Sequence, residues 1–369
     1  MSGDHESEFV EVFGFLHNSR DDVRKMAVQG LAHQSKDNKQ LFAFLASSTH
    51  GPRCIDALLQ FLHAGSVTIL GDILTILINC SADGTCTEAL VTRKVVRKAM
   101  RLLDNVENSD HPQPLQRGFE EMTLMLLSNL TAGHVSAAED LLQVADEDLR
   151  GFYIGKLHTY YSRFDPDDDE QDGICVNGSE ANIGKSQDEQ DAVGGGGRNR
   201  RSDSTQTERR DLQRWILQIL LNVTRTLDGQ QLLLEDEDWL ATLTDCLSSA
   251  NTRHRLLAAQ CFRNCSLQQQ QHARLLRGRC LHLCVERLGS GCESVPEVEM
   301  LLAEIVANLM GTEAGMEVLE ELNAKRHLQS AVAEGKVRPE TQEFLTQHVL
   351  PLLDDIVDAY VMSGADVVD

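Results

Sequence analysis

Apolar residues recur along this chain at helical spacing, and several of the apolar runs end in the same short phrase. In residues 256–266 the run closes on an asparagine, a small or apolar residue and a hydroxyl residue. The phrase is complete at Asn79, Asn129, Asn222 and Asn264, and weaker copies stand at His33 and Asn308. Apolar positions three or four residues apart predict amphipathic helices, so we expect a chain that is helical over most of its length.

The spacing of the phrase predicts the architecture. Counted from position 33 it returns at 79, 129, 222, 264 and 308, in steps of 46, 50, 93, 42 and 44 residues. A repeat of roughly 40–47 residues in a helix-rich chain is typical of HEAT and armadillo arrays, whose units bury their apolar faces against their neighbours. We therefore predict an all-α, armadillo- or HEAT-like right-handed α-solenoid of about six repeats.

The 93-residue step contains a segment of different composition, residues 165–208. It begins with acids, holds four consecutive glycines at 194–197 and ends in arginines. Such a segment cannot bury enough apolar surface to fold alone, so we predict a disordered insertion. The predicted organisation is an N-terminal set of repeats at 1–164, the insertion, and a C-terminal set at 209–369. The second set continues the first, begins with Asp211 as a helix N-cap and closes with a capping helix at 344–360.

Charge narrows the choice of partner. The formal net charge of −23 argues against general affinity for nucleic acid, which needs a broad basic surface. Residues 251–290, however, hold seven arginines and one acid, Glu286. This stretch predicts a local basic patch that could attract an acidic partner, because charges are screened over roughly 8 Å at physiological salt.

A second basic feature lies at residues 92–103, which we interpret as an amphipathic helix. Arg93, Arg97 and Arg101 would share one face at four-residue spacing. A solvated helix face is the ordinary interpretation of this pattern, and a docking stripe for an acidic partner is the alternative.

The cysteines and termini indicate an intracellular protein. Residues 1–6 are polar and acidic rather than a signal peptide, and the longest apolar run, near 69–78, is too short to span a membrane. Ten cysteines then suggest reduced thiols in the cytoplasm or nucleus. Cys261, Cys265, Cys280 and Cys284 have spacings that zinc sites allow, but they lie in apolar helical runs where a thiol packs as a small hydrophobe.

No catalytic motif stands out. The glycine run at 194–197 lacks the Lys-Ser/Thr of a phosphate-binding loop, and the acidic clusters do not pair in positions that would form a cleft. We predict a protein that is not an enzyme and has no cofactor or metal. A thiol- or metal-dependent enzyme built on the four cysteines is the alternative from another class.

The repeated asparagine is the candidate binding feature. An asparagine at the same place in successive helices offers two donors and one acceptor, and a row of such amides can pair with the backbone of an extended peptide. Alternatively, each asparagine caps its own helix or ties the turn to the next one. The predicted partner-binding groove contains these asparagines and the nearby arginines. Its residues are Asn79, Asn129, Asn222, Arg225, Arg255, Arg263, Asn264 and Asn308.

The order of the phrases resembles the HGH-one homologue family, in particular at residues 127–131, at 221–225 with Gly229-Gln230, and at 262–265. Two features depart from the family: Leu256 and Leu257 stand where it usually has glycines, and residues 289–296 replace a long acidic segment. These armadillo-type proteins are implicated in folding translation elongation factor 2 with the cytosolic chaperonin. The resemblance implies a co-chaperone with a protein client and no nucleic-acid or membrane partner. A general armadillo scaffold or a cargo adaptor of importin or catenin type is the alternative.

Overall fold

The computed structural model describes residues 2–164 and 211–353, and these residues form helices joined by short turns, with no strand among them. The predicted insertion and the end of the predicted capping helix lie outside the described residues. The α-helices of the described part are α1 (Ser2–Gly14), α2 (Asp21–Gln34), α3 (Lys39–Ala46), α4 (Gly51–Leu59), α5 (Val67–Ser81), α6 (Gly84–Thr92), α7 (Val95–Glu107), α8 (Gln113–Gly133), α9 (Val135–Leu142), α10 (Phe152–Arg163), α11 (Leu212–Val223), α12 (Leu227–Glu235), α13 (Glu237–Cys246), α14 (Thr252–Ser266), α15 (His272–Leu275), α16 (Cys280–Ser290), α17 (Pro296–Leu309), α18 (Glu313–Glu321), α19 (Ala324–Ala333) and α20 (Pro339–Phe344).

The helices are grouped in threes, and the third helix of each group packs against its counterpart in the next group. This layer runs α2, α5, α8, α11, α14, α17, and α17 then contacts α20. We call these helices the third-helix layer. The groups α3–α5, α6–α8, α9–α11, α12–α14 and α15–α17 form five full units between the terminal units α1–α2 and α18–α20. The prediction of an all-α solenoid is confirmed.

The core is apolar and lies between the helices of each unit and its neighbours. Helix α5 shows this well, because Leu70, Ile73, Leu74 and Leu77 are all fully buried. Every unit thus depends on the next for burial of its apolar face, as in other repeat arrays.

Turns between units depend on a close backbone approach. Gly229 lies in the first turn of α12, where a Cβ would stand 2.1 Å from the carbonyl oxygen of Val223. Thr226 caps the same helix by accepting a hydrogen bond from the Gly229 N–H, 3.1 Å away. The turn recurs two units later, where a Cβ on Gly315 would stand 1.9 Å from the Leu309 oxygen. Glycine is required here because a side chain would overlap the end of the preceding helix.

The two described segments pack directly against each other. The predicted insertion would fall between α10 and α11, within one three-helix unit. On the far side of it, Asp211 caps α11 as expected, with its Oδ1 accepting from the Arg214 N–H at 3.0 Å. The buried indole of Trp239 donates to the carbonyl oxygen of Ile154 at 2.9 Å, and Gln213 donates to that of Tyr161 at 3.1 Å.

Two helix boundaries differ from expectation. The basic stretch 92–103 is not one helix, because α6 ends at Thr92 and Lys94 adopts a left-handed conformation (φ 58°) before α7 begins at Val95. Arg93 therefore does not share a helix face with Arg97. The C-terminal helix begins earlier than predicted, at Pro339, and passes through a π-helical turn at Leu345–Val349. In the described part of the chain, no helix combines the length and apolar character needed to span a bilayer.

Candidate functional site

All five asparagines of the repeated phrase lie on the third-helix layer, and each reaches back to the preceding unit. The Nδ2 of Asn264 donates to the Thr224 Oγ1 at 3.1 Å. Asn308 Nδ2 donates to the Ser266 Oγ at 3.0 Å, and the corresponding bond from Asn79 reaches the Ser35 Oγ at 2.9 Å. We call Asn79, Asn129, Asn222, Asn264 and Asn308 the asparagine row.

The hydroxyl that closes each phrase is the other half of this link. Thr224 Oγ1 donates its own proton to the carbonyl oxygen of Leu221 at 2.8 Å, which leaves its lone pairs to accept from Asn264. Ser266 does the same toward the Arg263 oxygen at 2.9 Å while it accepts from Asn308. The phrase Asn-x-Ser/Thr therefore encodes an inter-unit bond: the asparagine reaches one unit back, and the hydroxyl receives the asparagine of the next unit.

The link persists across the predicted insertion. Asn222 Nδ2 contacts both the carbonyl oxygen of Ser128, at 3.0 Å, and the Thr131 Oγ1, at 3.1 Å. Asn129 makes a variant of the link, donating to the Ile78 carbonyl oxygen at 3.3 Å instead of a hydroxyl. Because α8 and α11 meet in the same register as the other pairs, the asparagine row continues from α5 to α17 without a break.

The amides keep hydrogen-bonding capacity after these links are made. Asn222 is 2% exposed, and its buried Oδ1 has no hydrogen-bond partner within the described residues. The other four asparagines are partly exposed. A primary amide has two N–H donors and an acceptor oxygen, so one donor and the oxygen of each of these four asparagines remain available to a ligand, whereas Asn222 donates twice and is buried.

Partly exposed side chains lie beside the row, about one and two turns before each asparagine. Side chains four and seven or eight residues apart share a helix face, so these groups form one surface with the amides. We call this surface the row face. It contains Asp72, Thr75, Met122, Met125, Trp215, Gln218, Leu256, Gln260, Leu301 and Glu304 in addition to the asparagine row.

Acids from outside the window 251–290 pair with part of the predicted basic patch. Arg263 Nε lies 2.9 Å from Glu304 Oε2 on α17, and Arg274 pairs with Glu235 at 3.0 Å. Arg255 and Arg287 both pair with Glu293. Four of the seven arginines are thus bound to carboxylates of the chain itself.

The structure does not place Arg255 with the other predicted groove residues. Its side chain is 7% exposed, its Nε and Nη2 donate to the two oxygens of Glu293, and its Nη1 donates to the carbonyls of Ser249 and Ala250. Arg263 does lie beside Asn264 on α14, already paired with Glu304. Arg225 is exposed in the turn three residues after Asn222.

Glu293 is held as a carboxylate. Burial by itself would raise its pKa, but hydrogen bonds from Arg255, from the Val295 N–H and from Arg287 outweigh burial and lower the pKa below the ordinary value. Charge-assisted hydrogen bonds of this kind favour the ionised form.

The four cysteines pack in the core. Cys261, Cys265, Cys280 and Cys284 are at most 1% exposed. Burial raises the pKa of Cys265 to about 12 and that of Cys261 well above its usual range. The pKa of Cys280 is raised by its hydrogen bond with Cys284 and by burial. Thiols in such surroundings are poor nucleophiles and poor metal ligands. Within residues 2–164 and 211–353, no three His, Cys, Asp or Glu side chains come together as a metal site.

The sequence does not indicate a second set of hydrogen bonds, which is made by side chains just after the repeated phrase. Gln230 Nε2 donates to the Thr224 carbonyl oxygen at 2.9 Å and to that of Asn264 at 3.2 Å. At the equivalent position, six residues after the closing hydroxyl, His272 Nε2 lies 2.7 Å from the Ser266 oxygen. Thr87, six residues after Ser81, repeats the contact in another unit. The three contacts come from the same position of the repeat but from different residue types, so the sequence shows no repeated residue there.

Neither a protein-family model nor a curated protein sequence matches this chain. Solved structures match its fold. An engineered protein aligns with a TM-score of 0.59 at 12% identity, over 92% of this chain and 71% of that one. A designed armadillo repeat protein in complex with the peptide (KR)4 gives 0.55 at 12% identity, over 81% and 98%. Computationally designed armadillo repeat proteins for modular peptide recognition give 0.55 at 13%, over 81% and 98%. At these identities the likeness defines the fold class: an armadillo-like α-solenoid.

Proposed function

We propose that this chain is a non-enzymatic protein-binding scaffold that holds an extended segment of a partner along the row face. The observation that carries this proposal is the unbroken register of the asparagine row over five successive helices. Each of its inter-unit bonds uses an Nδ2 donor, and the remaining amide groups can pair with the N–H and C=O groups of an extended backbone. The designed armadillo protein solved with a peptide supports the same use of the fold.

The length of the row sets the length of the segment. Packed helices lie about 8–10 Å apart, so the four steps from α5 to α17 cover roughly 32–40 Å. An extended chain rises about 3.3 Å per residue. A bound segment of about ten to twelve residues would therefore follow the whole row.

The middle of the row face is apolar, which adds side-chain contacts to the backbone contacts. Met122, Met125, Trp215 and Leu256 are partly exposed there. Methionine adapts its shape to different ligands, and tryptophan is prominent among residues that dominate binding energy. We expect specificity to depend on the side chains of the segment that reach this part of the face.

The resemblance to the HGH-one homologue family suggests a particular client. On that basis we propose that the chain acts as a co-chaperone in the cytoplasm or nucleus, with translation elongation factor 2 as the client and the cytosolic chaperonin as a second partner. The support is the set of phrases at 127–131, 221–225 and 262–265. A general scaffold or cargo adaptor would use the same row face for another protein.

Selection from a randomised library of twelve-residue peptides tests the scaffold function. Met125→Lys and Gln218→Lys place a long charged side chain on the row face and should weaken the selected peptides at least about tenfold, equivalent to ~1.4 kcal/mol. Val135→Lys is the matched control, since Val135 is 62% exposed at the start of α9 and lies off the row face. If no peptide is selected, or if all three variants bind alike, the row face is not the binding surface.

A separate measurement tests the client. Purified elongation factor 2, native and denatured, is titrated against the wild-type chain and against Met125→Lys. Binding of the wild type that Met125→Lys weakens supports the co-chaperone role. If the wild type does not bind elongation factor 2 but still selects peptides, the scaffold function is retained and elongation factor 2 is rejected as the client.

A further inference from the structure

An arginine and a tryptophan stack at the middle of the row face. Trp215 precedes Asn222 by two helical turns on α11, and the guanidinium carbon of Arg214 lies 4.7 Å from the centre of its ring. Asn222 bonds to residues 128 and 131 of α8, so the same register sets Trp215 beside Met122. The pair therefore lies between the apolar groups of α8 and those of α14.

Both side chains carry a buried donor that finds no acceptor in the described part of the chain. These donors are the Arg214 Nε and the Trp215 Nε1. Buried donors normally have a hydrogen-bond acceptor, and a donor without one calls for an explanation. The carboxylate of Asp211, one turn earlier, is occupied by His254, by Asn251 and by the backbone N–H of Arg214.

Arg214 makes no ion pair within the described residues, in contrast to other arginines of the molecule. Arg255 pairs with Glu293, Arg263 with Glu304 and Arg163 with Glu107. Arg214 instead rests on an aromatic ring, which orients its planar group without neutralising its charge. A guanidinium whose charge is unpaired favours a carboxylate as its partner.

We propose that Arg214 and Trp215 form a subsite for an acidic side chain, aspartate or glutamate, of the bound segment. The proposal rests on the scaffold function proposed above and adds the chemistry of one position. The half-buried guanidinium swings toward the incoming carboxylate, and the indole N–H donates to its second oxygen. The neighbouring residues of the segment then lie on Met122 and Leu256. The net charge of −23 does not prevent this contact, because at physiological salt the field of a charge is screened beyond about 8 Å.

Peptides from the twelve-residue library test the subsite. Those that bind the wild type and lose affinity with Met125→Lys occupy the row face, and they should be enriched in one Asp or Glu near their middle. Replacing that Glu by Gln in the peptide should weaken wild-type binding roughly tenfold. Arg214→Gln should abolish the difference between the two peptides. Trp215→Phe keeps the ring, removes the N–H and should shrink the difference.

Arg279→Gln is the matched control, because Arg279 is an exposed arginine away from the row face, and it should preserve the full discrimination. Thermal unfolding of each variant verifies that it is folded. The subsite proposal is overturned if the row-face peptides show no enrichment in Asp or Glu, or if Arg214→Gln still binds the Glu peptide more tightly than the Gln peptide. Neither result contradicts the proposed scaffold function. If the wild type selects no peptide, both proposals fall together.

Discussion

Arg255 and Glu293 form a two-pronged ion pair inside the molecule, with Nε–Oε2 and Nη2–Oε1 distances of 3.0 Å each. Arg287 Nη2 adds a third bond to the carboxylate at 2.7 Å, and Arg338 Nη1 reaches the Glu293 carbonyl oxygen at 3.3 Å. Arginines from three separate parts of the chain thus hold the connection between α16 and α17. This connection is therefore anchored to its neighbours, and both carboxylate oxygens of Glu293 are occupied.

Removing this carboxylate should destabilise the fold. Glu293→Gln leaves the buried guanidinium of Arg255 without its counter-charge, and breaking a buried pair from one side typically costs about 3 kcal/mol or more. The measurement is the free energy of unfolding in urea. Glu297→Gln is the control, since Glu297 is exposed and accepts one bond from Gln260, and it should change stability by less than about 0.5 kcal/mol. Equal effects of the two substitutions would contradict the role given to Glu293.

The same pair predicts a dependence on pH. The pKa of Glu293 in the folded state is lower than its ordinary value of 4.5. Its stabilising contribution is therefore complete above about pH 5 and disappears as the pH falls through the lowered pKa. The stability difference between wild type and Glu293→Gln should be constant from pH 7 to about pH 5 and shrink at lower pH. A difference that stays constant down to pH 3 would show that the charge is not involved.

The inter-unit bond between Asn264 and Thr224 can be isolated by a double-mutant cycle. Asn264→Ala and Thr224→Val each remove the 3.1 Å contact, and Thr224→Val also removes the bond to the Leu221 oxygen. The coupling energy should be about 0.5–1.5 kcal/mol, the usual net value of one hydrogen bond. Unfolding free energies of the wild type, both single variants and the double variant supply it. A coupling near zero would mean that the asparagine row does not tie the units together.

The close turn at Gly229 gives a steric prediction. Gly229→Ala would place a methyl group 2.1 Å from the Val223 oxygen, so the backbone must shift, at an expected cost of about 2 kcal/mol or more. Gly84→Ala is the matched control, because a Cβ at this first residue of α6 meets nothing within 4 Å. It should be neutral or slightly stabilising. Melting temperatures compare the two, and equal effects of both substitutions would contradict the role given to the contact with Val223.

Periodicity was enough to predict the fold, because one apolar face per helix and one repeated phrase leave few alternatives. The position of the asparagines also followed from the phrase, since Asn79, Asn129, Asn222, Asn264 and Asn308 all stand in the last turn or so of their helix. From the phrase alone, the asparagines are expected to cap their own helices, to tie one turn to the next or to bind a peptide. The structure shows that the bond runs to the previous unit, which a single sequence does not reveal.

Charge was the property that the sequence predicted least well. Within residues 251–290 alone, Arg255, Arg263 and Arg274 have no acidic partner. The acids that pair with them lie at positions 293, 304 and 235. Pairing over such distances is decided by how the units stack. The contact made by Gln230 was missed for a related reason, because its counterparts in other units are a threonine and a histidine.

The asparagine links all point one way, and this gives the array a direction and two natural ends. At the start, His33 stands in place of an asparagine while Ser35 accepts the first bond, from Asn79. At the finish, Met310 stands where the closing hydroxyl would be, two residues after Asn308. A duplicated central unit could be inserted and would extend the chain of links, but a further unit attached after α17 would find no hydroxyl to receive its asparagine.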